Sequence, residues 1–221
     1  MKESVKKFLH GFRQMFLVTI VLMLICGLLF PCLLTGLSSL FFPHQADGSL
    51  ITVNGQTVGA EHVGQEFTKD YYMWSRPSAY HYNVYKENVD GTKTYQDGTE
   101  FPGIGSGSNN YAPSNPELVK RVEADIAKFL EKNPDVKRED IPTDLLTASG
   151  SGLDPHISPE SAEIQIPRIA EASGLSEDEI RQIVKKHTSG KLLGIFGEDT
   201  VNVVLVNIDI SMAMGLIDAE T

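Results

Sequence analysis

The sequence predicts an α+β protein, with one N-terminal transmembrane helix followed by a mixed α/β extracytoplasmic domain. Three observations lead to this fold class. A long apolar run lies near the N-terminus, a hairpin signal follows it, and several segments of helical spacing occupy the second half of the chain. The 221 residues are enough for one domain with its own core and a membrane-spanning appendage.

The apolar run extends from Met15 to Phe42 and predicts a helix that crosses a membrane once. A bilayer core about 30 Å thick needs about 20 helical residues, and the run exceeds that length. Pro31 is expected to bend this helix and Pro43 to help end it. A cleaved export signal fits less well, because its apolar region spans only about 7–15 residues.

Both cysteines, Cys26 and Cys32, lie inside the apolar run, so the following domain has no disulfide and no cysteine metal site. A lipid anchor on either cysteine is disfavoured, because no small residue precedes it. The domain is expected to be stable through its hydrophobic core alone.

Basic residues are concentrated before the run, where one acid, Glu3, accompanies Lys2, Lys6, Lys7 and Arg13. The other residues hold 15 of the 19 bases and 28 of the 29 acids, a net charge of −13. The positive-inside rule therefore predicts a cytoplasmic N-terminus at 1–13, a transmembrane helix at 14–42 and an extracytoplasmic domain at 43–221. This acidity also makes nucleic acid an improbable partner, since phosphate binding needs basic patches.

The first part of the domain predicts a hairpin and then a long loop. Asp47 to Gly59 holds two short strands around Asn54-Gly55, residues that suit a tight turn. Tyr71 to Tyr111 is rich in Tyr, Gly, Asn and Ser with little periodicity, which predicts a loop system that faces a partner.

The second part predicts three helical regions and a strand. A helix begins at Pro116 behind the cap formed by Ser114 and Asn115, and it ends at Asn133. A second runs from Pro159 to Gly174 and is kinked or divided at Pro167.

Ser176 and Glu179 form a capping box for the third helix, which is expected to end near Gly190. The β-branched residues from Val201 to Ile210 predict a buried strand that pairs with the hairpin.

Two glycine-rich stretches are candidates for holding phosphate: Gly103 to Ser108, and Ser149-Gly150-Ser151-Gly152. Neither carries the Lys-Ser/Thr ending of a Walker loop, so a turning loop is the better interpretation. Asp144, Asp154 and His156 are candidate metal ligands, but their spacing favours turns and helix caps. Because no nucleophile is accompanied by a base, the chain is not expected to be an enzyme by itself.

Four phrases of the sequence closely resemble the C subunit of the Kdp potassium-transporting ATPase, the KdpC family. They are Asp144 to Pro159, Arg76-Pro77-Ser78-Ala79, Pro113-Ser114-Asn115-Pro116 and Gln165-Ile166-Pro167-Arg168. The resemblance runs from the membrane helix to the last predicted strand. Its departure is Val84 to Gly103, which is longer than the family usually carries.

The resemblance implies a noncatalytic subunit of a potassium import pump in the bacterial cytoplasmic membrane, needed for assembly and stability of the complex. Its partners would be a channel-like A subunit, an ATP-hydrolysing P-type B subunit, a small F peptide and membrane lipid. ATP and potassium would be handled by the complex, with no cofactor of this chain's own. The family has been described as a catalytic chaperone that raises the ATP affinity of the B subunit.

Two alternatives stay open: a nucleotide-binding coupling protein that uses Ser149 to Gly152, and a free-standing membrane-anchored enzyme outside the cell. The domain could instead shape the outer ion entrance of the channel-like subunit. The residues expected to hold loop geometry or touch a partner are Arg76, Ser114, Asn115, Asp154 and His156.

Overall fold

The computed structural model describes residues 2–217, and the chain divides into two compact units after Ser49. In the described residues, one long apolar helix and a short helix after it form the first unit, and a mixture of helices and short strands forms the second. The predicted α+β fold class is confirmed.

The apolar helix consists of α1 (Lys2–Leu24) and α2 (Phe30–Phe41), joined by a π-helical stretch, Ile25–Leu29. The part from Gly11 to Phe41 is long and apolar enough to cross a membrane, and its side chains are not buried. Pro31 cannot donate to the carbonyl four residues earlier, and the π-helical stretch lies where that bond is lost. The irregularity expected at Pro31 takes this form.

Helix α1 begins at Lys2 rather than near residue 14, whereas α2 ends at Phe41, next to the predicted end. Pro43 starts a separate short helix, α3 (Pro43–Ala46). Of the four basic residues in the charge argument for orientation, three have side chains outside the described part of the chain: Lys2, Lys6 and Lys7.

The second unit opens with the predicted hairpin, in which β1 (Leu50–Val53) pairs antiparallel with β2 (Gln56–Ala60). Its turn residues Asn54 and Gly55 have φ values of 52° and 73°. Asparagine and glycine adopt this left-handed conformation at little cost, which confirms the turn prediction.

The long stretch from Val84 to Gly103 is a small hairpin of β3 (Lys86–Glu87) and β4 (Lys93–Thr94). Its turns are closed by two aspartates: the N–H of Thr92 donates to Asp90 at 3.0 Å, and that of Thr99 to Asp97 at 2.9 Å. Phe101 stacks on Tyr85 and meets Tyr95 edge-on, with ring centroids 4.6 and 5.3 Å away.

Helix α4 (Pro116–Lys132) begins and ends where the sequence predicts. The Asn115 side chain accepts the N–H of Glu117 at 2.9 Å, which caps the helix. Its buried side chains are Ile126 and Phe129.

The predicted division of the next helical region is also confirmed, as α5 (Pro159–Glu163) and α6 (Ile166–Ser173) are separate. The break lies just before Pro167, and Gly174 ends α6 with φ of 77°.

The capping box of Ser176 and Glu179 is present at the start of α7 (Glu177–Lys186). This helix ends before the predicted Gly190, because Thr188 already belongs to a strand. A three-stranded antiparallel sheet follows, in which β7 (Thr200–Asn202) lies between β5 (His156–Ile157) and β6 (Thr188–Ser189).

The prediction of a strand from Val201 to Ile210 is wrong. Only its first residues lie in β7, which pairs with β5 and β6 and not with the first hairpin; the rest forms helix α8 (Val203–Ala213). The Asn202 side chain accepts the N–H of Leu205 at 3.1 Å and caps the helix. Six of the eleven residues of α8 are buried, and apolar residues also occupy its less buried side. The sequence therefore shows no amphipathic period, and its β-branched residues imitate a strand.

The core of the unit forms where α8 packs with the other helices and the three-stranded sheet. Apart from Met73, its fully buried apolar side chains come from α5 to α8 and β7: Ala162, Ile166, Ile169, Ile180, Val201, Val203, Val206 and Ile210.

Residues 70–76, here called the core segment, have no regular secondary structure although Met73 is fully buried. Asn207 of α8 accepts the N–H of Met73 at 2.7 Å and donates to its carbonyl at 2.8 Å. The Gln165 side chain likewise accepts the N–H of Trp74 at 2.8 Å and donates to its carbonyl at 3.3 Å. Because buried peptide groups need partners, two side-chain amides replace the neighbouring strands that a sheet would supply.

Arg168 of α6 adds a third attachment to the core segment. Its guanidinium donates to the carbonyls of Asp70 and Tyr72 and lies 4.3 Å from the Trp74 ring centre. Burial lowers the pKa of Arg168 to about 10. The predicted loop from Tyr71 to Tyr111 thus differs from expectation at its start, which lies in the interior rather than facing a partner.

Replacing Asn207 with alanine should lower the free energy of unfolding by about 2–4 kcal/mol, because both peptide groups of Met73 would stay buried without partners. Urea unfolding of the detergent-solubilised chain, followed by fluorescence of its single tryptophan, measures this. The matched control is Asn109→Ala on the exposed surface, with an expected change within about 0.5 kcal/mol. Equal losses in the two variants would show that the amide does not hold the segment.

Candidate functional site

Arg76 ends the core segment and reaches the loop at residues 147–154. Its Nε donates to the Thr147 carbonyl at 3.3 Å, and its two terminal nitrogens lie 3.2 Å from Asp154 Oδ2 and 3.5 Å from the Ala148 carbonyl. The planar guanidinium presents several donors in fixed directions, so one side chain holds two carbonyls and a carboxylate. The structure therefore brings Arg76 and Asp154 together.

Asp154 also forms the turn that leads to His156. Its Oδ1 accepts the backbone N–H of His156 at 3.0 Å and lies 3.3 Å from the ring Nδ1. Hydrogen bonding from His156, together with the charge of Arg76, holds the pKa of Asp154 below its usual value despite partial burial. Three of the five predicted contact residues thus meet in one cluster.

Asp144, the other candidate metal ligand, lies in a short 3-10 helix at residues 143–145 and contacts the start of α5. It accepts the N–H of Ser158 and the hydroxyl of Ser161, each at 2.7 Å. Within the described ranges, no group of three or more acidic, His or Cys side chains is arranged to hold a metal ion. Both acids, Asp144 and Asp154, accept hydrogen bonds of the turn and cap type, as their sequence positions favour.

The serines of the candidate phosphate loop bind the loop itself. Ser149 Oγ accepts the N–H of Gly152 at 2.9 Å, and Ser151 Oγ accepts that of Leu153 at 3.1 Å. Ser78 donates to the Gly152 carbonyl at 2.6 Å. A phosphate cradle turns such N–H groups toward its ligand, so this arrangement favours a structural loop over a nucleotide site.

The two glycine-rich stretches lie against each other, a contact that sequence reasoning missed. The N–H of Gly107 donates to the Ser151 carbonyl at 2.6 Å, and the Ser106 hydroxyl donates to the same oxygen at 3.0 Å. Gly152 has φ of 66°, and a Cβ there would overlap the Gly107 carbonyl. Local sequence patterns cannot predict this contact, because it joins stretches far apart in the sequence.

A second feature without a sequence signal is the turn at His81, Tyr82 and Asn83, whose φ values are 46°, 54° and 59°. Consecutive left-handed residues other than glycine are costly and persist only where the surroundings determine them. The buried Tyr82 hydroxyl lies 3.0 Å from the Arg76 carbonyl and 3.2 Å from that of Asp154. Burial raises the pKa of Tyr82 above its usual range, so it stays a donor.

Neighbouring side chains fix this turn on both sides. The Asn83 amide exchanges two hydrogen bonds with the Gly105 backbone, at 3.0 and 2.9 Å. Gly64 lies so close to the Tyr82 ring that a Cβ would overlap it. The glycine at position 64 therefore serves close packing.

Two clefts border this cluster within the second unit. The larger, of about 630 Å³, lies between the Arg76 region and the α4 side chains Arg121, Asp125 and Lys128. The smaller, of about 550 Å³, is lined by Ser149 to Ser151 together with Arg76 and His156. Charged groups on both walls of the larger cleft are paired within the chain, since Arg76 binds Asp154 and Arg121 binds Asp125 at 2.6 Å.

Ser114 and Asn115 do not take part in the Arg76 contacts given above. Ser114 is exposed in the turn before α4, and Asn115 caps that helix. Asn115 thereby starts the helix that forms one wall of the larger cleft.

A family model described as "KdpC: K+-transporting ATPase, c chain" matches residues 12–212. The potassium-transporting ATPase KdpC subunit of Clostridium kluyveri is 54% identical over 213 residues, which cover 96% of this chain and 99% of that protein. The same subunit of Clostridioides difficile is 55% identical over 203 residues, which cover 91% and 96% of the two chains. The chain belongs to the KdpC family.

The predicted family resemblance is thereby confirmed. Two of the phrases that carry it, at residues 76–79 and 144–159, meet in the structure around Arg76, Tyr82 and Asp154. The other two phrases have separate places in this KdpC chain, because 113–116 starts α4 and 165–168 binds the core segment. The long Val84 to Gly103 stretch is a hairpin that leaves and rejoins the cluster.

Gly152→Ala should destabilise this KdpC chain by about 2–4 kcal/mol, since the new Cβ meets the Gly107 carbonyl in a left-handed backbone. Gly150→Ala is the matched control two residues away, because a Cβ there meets nothing within 4 Å. Urea midpoints of the two purified variants provide the comparison. Similar midpoints would mean that the loop relaxes away from Gly107 at little cost.

Proposed function

We propose that this chain is a noncatalytic subunit of an ATP-driven potassium import complex and is needed for its assembly and stability. The observation that carries the proposal is the internal use of the polar cluster: Arg76, Ser149, Ser151 and Asp154 all bind groups of their own chain. A catalytic site instead directs such groups toward a substrate. The relatives named above, potassium-transporting ATPase KdpC subunits, support the same role.

The partners in this proposal are the channel-like A subunit, the ATP-hydrolysing B subunit and the F peptide, all in contact with membrane lipid. The chain contributes a shaped domain and the other subunits contribute ion conduction and ATP hydrolysis. A free-standing enzyme would act without partners, whereas a subunit should copurify with the larger complex after mild detergent extraction.

We infer that the N-terminus is cytoplasmic and that the domain lies outside the cell. The support is the basic residues ahead of the apolar helix and the net charge of −13 after them. This placement separates the domain from cytoplasmic ATP. It therefore opposes both direct nucleotide binding at Ser149 to Gly152 and the role of a catalytic chaperone that touches ATP.

Within this placement, the domain packs over the outer entrance of the channel-like subunit. Its negative charge attracts potassium ions, and charges that line such an entrance raise the local cation concentration. The loops around Arg76 fix the shape of the surface that the domain presents to this entrance.

Protease added to intact spheroplasts should digest the domain, and the same protease should leave it intact in inverted vesicles. The reason is that residues 43–221 face outward in the proposed topology. Immunoblots with antibodies against the N-terminus and the domain follow each fragment, and a known cytoplasmic domain serves as the control. The opposite pattern would overturn the placement and make the loop at Ser149 to Gly152 accessible to ATP.

Exposed acids such as Glu131, Glu139 and Glu160 can be replaced by lysine, one surface of the domain at a time. Replacement on the surface that faces the channel entrance should raise the half-saturating potassium concentration severalfold at low salt. The difference should vanish at high ionic strength, where the screening length falls to about 3 Å at 1 M. Potassium-stimulated ATPase activity of the complex is the readout. Unchanged affinity for every surface would eliminate the electrostatic role.

A further inference from the structure

An exposed apolar hairpin joins β6 to β7, and neither the fold nor the proposed function uses it. Its residues 192–196, here called the apolar finger, carry four large apolar side chains. Leu192, Leu193, Ile195 and Phe196 are 69, 81, 76 and 62% exposed. Outside the membrane helix, such a concentration of exposed apolar side chains marks a surface that meets a protein or a membrane.

The finger is a formed structure. Leu192 and Phe196 exchange two backbone hydrogen bonds at 2.8 and 3.0 Å, and the N–H of Ile195 donates to the Leu192 carbonyl at 3.2 Å. At its base, the N–H of Lys191 donates to Asp199 Oδ1 at 3.1 Å. The four apolar side chains are therefore held outward by a closed turn.

The residue at the tip is unusual for its conformation. Leu193 has φ of 55°, a left-handed value that glycine adopts freely and leucine adopts at a cost. Because this leucine is 81% exposed, packing within the domain does not compensate that cost. The apolar side chain at this position points to a contact outside the domain.

We propose that the apolar finger inserts into the boundary between the headgroups and acyl chains of a lipid bilayer. The first reason is its surface, because the stretch from Leu192 to Gly197 has no charged side chain. All four apolar side chains of this turn are more than 60% exposed, so the finger has no polar side chain to face water on any side. Lipid can surround such a projection, whereas a shallow protein groove would contact one side only.

The second reason is the covalent anchor. Only residues 42–49 separate α2 from β1, and an extended chain spans at most about 3.5 Å per residue. A domain tethered this closely to a membrane helix meets the bilayer at high effective concentration. A few apolar side chains then suffice for insertion about 5–10 Å deep. This inference needs the anchor alone and does not depend on which side the domain occupies.

A fluorescent probe on the finger tests the proposal in the assembled complex, reconstituted in phosphatidylcholine vesicles. The two native cysteines are replaced by Cys26→Ala and Cys32→Ala, and Ile195→Cys then carries a polarity-sensitive dye. The matched control is Val89→Cys, at the fully exposed tip of the other hairpin. Leu193→Cys gives a second reading from the finger.

Lipids with a nitroxide near the top of the acyl chain should quench both finger probes at least about threefold more strongly than the Val89 probe. The finger probes should also emit at shorter wavelength. Strong emission that nitroxide lipids do not quench would overturn the proposal in favour of a protein pocket in a neighbouring subunit. Finger probes with the same emission wavelength and lipid quenching as the Val89 probe would overturn it in favour of a solvent-exposed hairpin.

Discussion

A buried peptide group without neighbouring strands must take its hydrogen bonds from side chains. The backbone of residues 70–76 has this requirement, and the arrangement of the helices around it depends on how the requirement is met. Asn207 and Gln165 meet it with their amides, and Arg168 meets it with its guanidinium. Helix α8, helix α6 and the residue that precedes α6 can supply these groups only from fixed positions and orientations. The position of Arg76 at the end of the segment follows from these attachments, and Arg76 in turn orders the loop at residues 147–154.

Features governed by short-range rules were predictable from the sequence. The turn at Asn54-Gly55, the cap at Asn115 and the capping box at Ser176 depend on neighbours a few residues away, and all three are present. The strand predicted at Val201 failed for the opposite reason. Whether a β-branched apolar run becomes a strand or a buried helix depends on what surrounds it, and local spacing carries no information about that.

Several residues of the candidate cluster were predictable from the sequence, but the contacts between its chain segments were not. Family-like phrases pointed to Arg76, Asp154 and His156, and the turn chemistry of Asp154 followed from its own neighbours. The contact between Gly107 and Ser151 and the left-handed turn at Tyr82 depend on chain segments brought together only by folding. Such contacts explain why glycine and tyrosine occupy these positions, and a single sequence cannot reveal them.

The hairpin between Val84 and Gly103 has an architectural consequence. Asn83 and Gly105 are joined by two hydrogen bonds at its neck, and its own turns and stacked rings complete it. Tyr95 and Gln96 contact His81 and Thr68 close to the neck, but the turn at residues 88–92 is exposed. Extra residues in that turn would extend outward and leave Arg76 and Tyr82 undisturbed. Loop-closure entropy rises only slowly with length. The domain can therefore vary in size at this place while the geometry of its remaining loops stays constant.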